Sequence, residues 1–137
     1  MINTIKPGQL YKLTQYEKLG GEIGVRTLVK HFYEAMHNTP EVKIIRDMHA
    51  PNLDEAEDKL YLFLSGWLGG PSLYIEKYGH PRLRARHLPF SIGTKERDQW
   101  LHCMDIALNK MTVEKPMHDE LMQAFFNTAD FMRNQTK

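Results

Sequence analysis

The stretch of sequence that decides the fold is GHPRLRARHLPF, residues 79–90. Pro81 suits the first turn of a helix, because the N–H that proline lacks would have no helical partner there. Pro89 disfavours the helical conformation at the residue before it, so a helix that begins at Pro81 should end near His87. The spacing therefore predicts a helix of about two turns with one histidine at its C-terminal end.

The side chains of this predicted helix fall on two faces. Leu83 and His87 are four residues apart and share one face, whereas Arg82 and Arg86 share another. An imidazole beside an apolar contact, with arginines on its flank, is a candidate ligand for a metal in anionic surroundings. A histidine with no ligand role is the more frequent case for such a pattern, so the residues alone leave both interpretations open.

The rest of the chain has the hydrophobic periodicity of helices. Apolar residues recur at helical spacing over 22–37, 40–48, 52–68, 94–111 and from 116 onward, with shorter helical turns at 14–19 and 72–78. Asn52 and Glu55 form a candidate N-terminal capping pair, and Thr94 is a candidate cap for the helix that follows it. No segment alternates as a strand does, so the predicted class is all-α.

The length and composition indicate one domain with no charged or membrane partner. The 137 residues suffice for a single core, which we place at 13–133, after an extension at 1–12 and before a frayed end at 134–137. A net charge of +1 gives no attraction to nucleic acid or an anionic membrane. The apolar runs are shorter than the ~18 residues needed to span a bilayer. The first twelve residues lack the apolar core of a secretion signal, and the single cysteine excludes an internal disulfide, so we expect a cytoplasmic protein.

Three stretches together resemble the group II truncated (2-on-2) haemoglobins. They are residues 79–90, the upstream run Trp67-Leu68-Gly69-Gly70-Pro71 and the downstream run ERDQWLHCM at 96–104. The resemblance extends from about Tyr16 to Met111 and implies a truncated globin fold, a two-over-two helical sandwich around haem b. In that family the histidine that matches His87 is the proximal ligand of the haem iron. The Cys-x-x-Cys-His motif is absent from the sequence, so we expect the haem to be held non-covalently.

A haem pocket needs a neutral imidazole on the iron, apolar walls and cations for the propionates. We expect the second ring nitrogen of His87 to donate to a carbonyl in the preceding turn, which leaves Nε2 for iron. The expected walls are Leu60, Phe63, Leu64, Leu83, Phe90 and Met104, and the expected cations are Lys59, Arg84 and Arg86. The same apolar residues would also suit an ordinary core, and the same cations a solvated surface.

The resemblance places Tyr33, Ala56, Leu60 and Trp100 on the opposite side of the haem, where a gas would bind. Ala56 matches the place where familiar globins carry a distal histidine, so the Tyr33 hydroxyl and the Trp100 indole N–H are the expected donors to O2. A hydrogen bond to a charged partner contributes about 1.5–3 kcal/mol. Two such donors would slow O2 release by roughly two orders of magnitude, at about 1.4 kcal/mol for each factor of ten.

His49 is the point at which the chain departs from the family pattern. Many members have Phe or Tyr at the matching position, and the segment from Arg46 to His49 is longer than in several relatives. We expect His49 at the edge of the pocket, where it would hydrogen-bond the gas or Tyr33, or reach ferric iron. In the other alignment of this segment it is an exposed loop residue.

The resemblance implies reversible binding of O2, CO and NO, with NO or peroxide detoxification as further activities. The sequence has no flavin or nicotinamide motif, so electrons would come from an unknown reductase. We expect a monomer or a weak dimer. Two alternatives remain from the residues alone. One is a helical protein with a non-haem metal at His80 and His87, although no third and fourth ligand completes a tetrahedral set. The other is a cofactor-free interaction bundle.

Overall fold

The computed structural model describes residues 13–137, so the predicted extension at 1–12 lies outside the described residues. The helices, in chain order, are α1 (Gln15–Lys18), α2 (Gly21–Asn38), a 3₁₀ turn (Pro40–Val42), α3 (Lys43–Asp47), α4 (Asp54–Trp67), α5 (Leu73–Tyr78), α6 (Leu83–His87), α7 (Thr94–Asn109) and α8 (Lys115–Phe131). No strand occurs between residues 13 and 137, and the predicted all-α class is confirmed. No helix in this described part has the length and apolar character needed to cross a membrane.

The core is built around α2. This helix packs against α4 and α7, and α7 packs in turn against α8. Val25, Leu28, Phe32 and Met36 recur every three or four residues along α2 and are almost completely buried. Burying a side chain of this size stabilises the fold by about 1.5–3 kcal/mol, so this stripe fixes the position of α2 against its neighbours.

The helix carrying His87 begins later than the sequence predicts. Arg82 has a φ of 48°, in the left-handed region, so α6 starts at Leu83 instead of Pro81. The backbone N–H of Arg82 donates to His80 Nδ1 at 3.0 Å, which stabilises this turn. The helix ends at His87 as expected.

The two predicted helix caps also differ from those in the structure. Asn52 Oδ1 accepts from the Asp54 N–H at 2.8 Å, so Asn52 does not pair with Glu55 and Leu53 occupies the cap position of α4. Gly93 is the cap residue of α7, and its N–H donates to Glu96 Oε1 at 2.6 Å. Helix ends depend on local hydrogen bonds, which periodicity does not report.

The chain after α8 is bonded to the loop that follows α6. The backbone N–H groups of Asn134 and Gln135 donate to the Ile92 carbonyl at 2.9 and 3.1 Å. The segment 134–137, expected to be frayed, is therefore attached to the body of the molecule at its first two residues.

Candidate functional site

A cavity of about 460 Å³ lies beside α6, within the volume range of small-molecule and cofactor sites. Apolar side chains from α3, α4, α7 and α8 form most of its walls. The predicted site residues that line it are Tyr33, His49, Ala56, Lys59, Leu60, Phe63, Leu64, Leu83, Arg86, His87, Phe90 and Trp100. Residues far apart in the sequence thus meet in one cavity.

Two predicted site residues, Met104 and Arg84, lie away from the cavity lining. Met104 is fully buried in the core, one turn of α7 beyond Trp100. Arg84 Nη1 donates to the carbonyl oxygens of Phe131 and Arg133 at 2.7 and 2.8 Å. Because neighbouring residues of a helix point about 100° apart, Arg84 faces α8 while Leu83 faces the cavity.

His87 presents a free ring nitrogen. Its Nδ1 lies 2.6 Å from the Leu83 carbonyl oxygen, one turn earlier in α6. A carbonyl can only accept, so Nδ1 carries the proton in this bond and Nε2 keeps its lone pair. Within residues 13–137, Nε2 has no hydrogen-bond partner. This is the arrangement in which a neutral imidazole ligates a metal.

His49 is held in the same way on another side of the cavity. Its Nδ1 lies 2.7 Å from the Ile45 carbonyl oxygen, so the neutral ring offers an acceptor, not a donor, at Nε2. The ring centroids of His49 and Tyr33 are 6.0 Å apart. The side chain is half-buried and lines the cavity, so in the structure His49 is not a freely exposed loop residue.

Tyr33 and Trp100 bring two hydrogen-bond donors to the cavity. In the described part of the chain, neither the Tyr33 hydroxyl nor the Trp100 indole N–H makes a hydrogen bond. Burial, and next the charge of Glu57, raise the pKa of Tyr33 far above its ordinary value, so the phenol stays protonated. Phe32 fixes both rings, with its centroid 5.0 Å from each.

Two of the three predicted cations, Lys59 and Arg86, line the cavity. Lys59 Nζ lies 3.0 Å from Glu55 Oε1 in an exposed ion pair, which costs little to rearrange. Arg86 Nε donates to the Pro81 carbonyl at 2.7 Å, and its guanidinium lies 5.9 Å from the Tyr74 ring centroid. Both cations are therefore available to an anionic group at this edge.

Several lining residues were missed from the sequence. They include Trp67, Tyr74, Ile92, Arg97 and Phe125. Trp67 stacks on Phe125, with centroids 4.6 Å apart and rings at 21°. The helical spacing from Phe63 to Trp67 on α4 was a signal for Trp67. Phe125 and Ile92 depend on how distant helices pack, for which one sequence carries no comparable signal.

The non-haem metal alternative is not supported. His80 Nδ1 already accepts a hydrogen bond from the Arg82 N–H. No group of three or more His, Cys, Asp or Glu side chains in the described residues is arranged to hold a metal ion.

Comparisons with known proteins agree with this geometry. The family model for bacterial-like globins matches residues 14–134. The chain is 39% identical over 122 residues to the group 2 truncated hemoglobin YjbI of Bacillus subtilis (strain 168), a match that covers 89% of each chain.

Solved structures extend the match to three dimensions. The cold-adapted truncated hemoglobin of the Antarctic marine bacterium Pseudoalteromonas haloplanktis TAC125 superposes with a TM-score of 0.87 at 42% identity, covering 90% of this chain and 99% of that one. The group II 2-on-2 hemoglobin of the plant pathogen Agrobacterium tumefaciens gives a TM-score of 0.87 at 39% identity, covering 92% and 98%. Globins bind diatomic gases through haem. The chain therefore belongs to the bacterial-like globin family, as a group II truncated (2-on-2) haemoglobin.

Proposed function

We propose that this chain binds haem b non-covalently in the cavity beside α6, with His87 Nε2 as the iron ligand, and binds O2, CO and NO reversibly. The observation that carries the proposal is that one apolar cavity holds the free Nε2 of His87 together with two unused donors, Tyr33 and Trp100. When bound, the haem supplies an iron that takes up diatomic gases. Leu60, Phe63, Leu83 and Phe90 provide apolar surface against the porphyrin.

The protein's own contribution on the gas side is a pair of donors. The Tyr33 hydroxyl and the Trp100 N–H stabilise O2 because negative charge accumulates on its oxygen atoms once it is bound. Ala56 has no polar atom in its side chain, so it leaves room and supplies no competing donor. Lys59 and Arg86 take the propionates at the edge of the cavity.

His49 acts through Tyr33. With its Nδ1 proton committed to the Ile45 carbonyl, the neutral ring accepts at Nε2. Nε2 can therefore accept from the Tyr33 hydroxyl, whose ring centroid lies 6.0 Å away, and the neutral ring has no proton there to donate to the gas. From sequence alone, both donation to the gas and acceptance from Tyr33 stayed open. The proton on Nδ1 favours acceptance from Tyr33.

Slow release of O2 suits turnover of the bound gas better than bulk delivery. We propose NO or peroxide detoxification as the activity, with electrons from a separate reductase. Tyr33 and Trp100 would supply the hydrogen-bond donors to the bound gas, and the apolar walls would exclude bulk water.

The test of the iron ligand is the variant His87→Gly, compared with His102→Gly as a control at an exposed histidine outside the cavity. We expect His87→Gly to lose normal haem retention, since its side chain supplies the bond to iron, and to recover it partly when imidazole is added. The measurement is the ultraviolet–visible spectrum of the ferric, ferrous and CO-bound forms. Full haem loading with an unchanged spectrum in His87→Gly would contradict the assignment.

A further inference from the structure

Helix α6 carries His87 but is not fixed by the core. None of its five residues is buried, and Leu88 and Phe90 just after it are exposed. Burial against the protein core therefore contributes little to the position of this helix, and Leu83 and Phe90 would add contacts with a bound haem. Another set of contacts must determine where the His87 ring lies.

Those contacts come from Asn134, which follows α8. Its Oδ1 accepts from the Ile92 N–H at 2.9 Å, and its Nδ2 donates to the Phe90 carbonyl at 2.7 Å and to the His87 carbonyl at 3.4 Å. Its backbone N–H donates to the Ile92 carbonyl at 2.9 Å. One residue thus bonds the backbone at three positions of the segment 87–92.

A primary amide is the group that fits this role. It offers an acceptor and two donors at once, which matches one N–H and two carbonyl groups of the loop. A carboxylate at the same place would still accept from Ile92 but would face the Phe90 carbonyl oxygen with like charge. An alanine would leave the Ile92 N–H and the Phe90 carbonyl without these bonds, whereas the His87 carbonyl would keep the Phe90 N–H as its donor at 3.0 Å.

A second tie joins α6 to the same end of α8. Arg84 donates to the Phe131 and Arg133 carbonyls, which lie where a helix leaves its last carbonyls without helical partners. Arg84 precedes His87 in the chain and the Asn134 contacts follow it, so the histidine is bracketed on both sides. We define Arg84, Asn134 and their bonded carbonyls as the C-terminal clasp.

We propose that Asn134 is a positioning residue for His87: the C-terminal clasp sets the orientation of α6, and with it the strength of the bond between the imidazole and the haem iron. This inference rests on the proposed function, since it assumes that His87 is the iron ligand. It assigns Asn134 a role that operates through the backbone of 87–92, with no contact to haem.

The test compares the haem-loaded wild type with Asn134→Ala and Asn134→Asp. We expect Asn134→Ala to shift the iron–histidine stretching band in the resonance Raman spectrum of the ferrous form. We also expect it to speed haem transfer to an acceptor globin by about tenfold, as for the loss of one or two hydrogen bonds. Asn134→Asp keeps the acceptor for the Ile92 N–H. We expect its band shift and its rate of haem transfer to lie between those of wild type and Asn134→Ala. The matched control is Asn127→Ala. The Asn127 side chain is exposed and, within residues 13–137, forms a hydrogen bond only with Gln123.

The outcomes separate this inference from the proposed function. A wild type without an iron–histidine band would overturn the ligand assignment and the clasp together. A wild-type band that stays unchanged in both Asn134 variants would overturn the clasp alone. If Asn134→Ala does not fold, Arg84→Met removes the other tie and must move the same band for the inference to stand.

Discussion

At the scale of single residues, the proposed function makes the two unused donors in the cavity, Tyr33 and Trp100, the determinants of O2 release. We expect Tyr33→Phe and Trp100→Phe each to raise the O2 dissociation rate by about tenfold or more, because each removes a hydrogen bond to a charged partner. Stopped-flow displacement of O2 measures the rate. Tyr61→Phe is the control, since its ring lies under the Arg26 guanidinium outside the cavity.

Unchanged rates in both variants would show that the donors lie elsewhere. The two rings share Phe32 as a neighbour, so their effects need not add. The double variant apportions the energy between them.

A second expectation at this scale concerns His49. We expect His49→Leu to raise the O2 dissociation rate by about two- to tenfold, because Tyr33 loses the acceptor available to it beside the pocket. We also expect the wild-type ferric spectrum to be high-spin, since the Ile45 carbonyl holds the ring and Tyr33 and Trp100 occupy the space near the iron. His102→Leu, on the exposed side of α7, is the control.

Two results would count against this view of His49. A six-coordinate low-spin ferric wild type that His49→Leu converts to high-spin would make His49 an iron ligand. No change in either spectrum or rate would make it a residue without influence on the pocket.

At the scale of elements, His118 joins α8 to α7 through Nε2, while its Nδ1 contacts the next residue of α8. Nε2 lies 2.7 Å from Asp105 Oδ1 and Nδ1 lies 3.2 Å from Asp119 Oδ1. Carboxylates only accept, so the imidazolium form satisfies both contacts. The hydrogen bond to Asp119, and next that to Asp105, raise the pKa of His118 above its ordinary value of 6.5.

A raised pKa in the folded state means that the folded chain holds this proton more tightly than the unfolded chain does. The contact therefore stabilises the fold fully below the ordinary value, and the stabilisation is lost as pH rises through the raised pKa. We expect the thermal midpoint of wild type to fall as pH rises from the ordinary value of 6.5 through the raised pKa, and His118→Gln to remove part of that fall, at most about 4 °C for a partly exposed contact. Circular dichroism measures it, with His102→Gln as control. Identical pH slopes in wild type and His118→Gln would contradict the assignment.

At the scale of the whole molecule, helical periodicity predicted most of the fold. The apolar stripes of α2, α4, α7 and α8 gave their positions to within a few residues, because burial on one face imposes the period. The start of α6 escaped prediction, since Arg82 enters the left-handed region through a contact with His80 that no period reflects. The hydrogen bonds between Asn134 and Ile92 were not predicted either, because they join polar groups far apart in the sequence, for which helical periodicity gives no signal.

The candidate site was predicted less evenly. Twelve of the predicted site residues line one cavity. Met104 is instead buried in the core, and Arg84 bonds the end of α8, because each lies on another face of its helix. The bond from His87 Nδ1 to a carbonyl in the preceding turn was predicted, whereas the same arrangement at His49 came only from the structure.

The aromatic lining of the cavity has a spectroscopic consequence. The chain contains two tryptophans, Trp67 and Trp100, and both line the cavity. All of the intrinsic indole emission therefore originates at the wall against which a haem would lie. A porphyrin absorbs where indoles emit, so energy transfer over so short a distance would quench the emission of Trp67 and Trp100 together. When only the indoles are excited, the fluorescence of the chain is then a direct measure of how many molecules carry haem, with no indole elsewhere contributing a background.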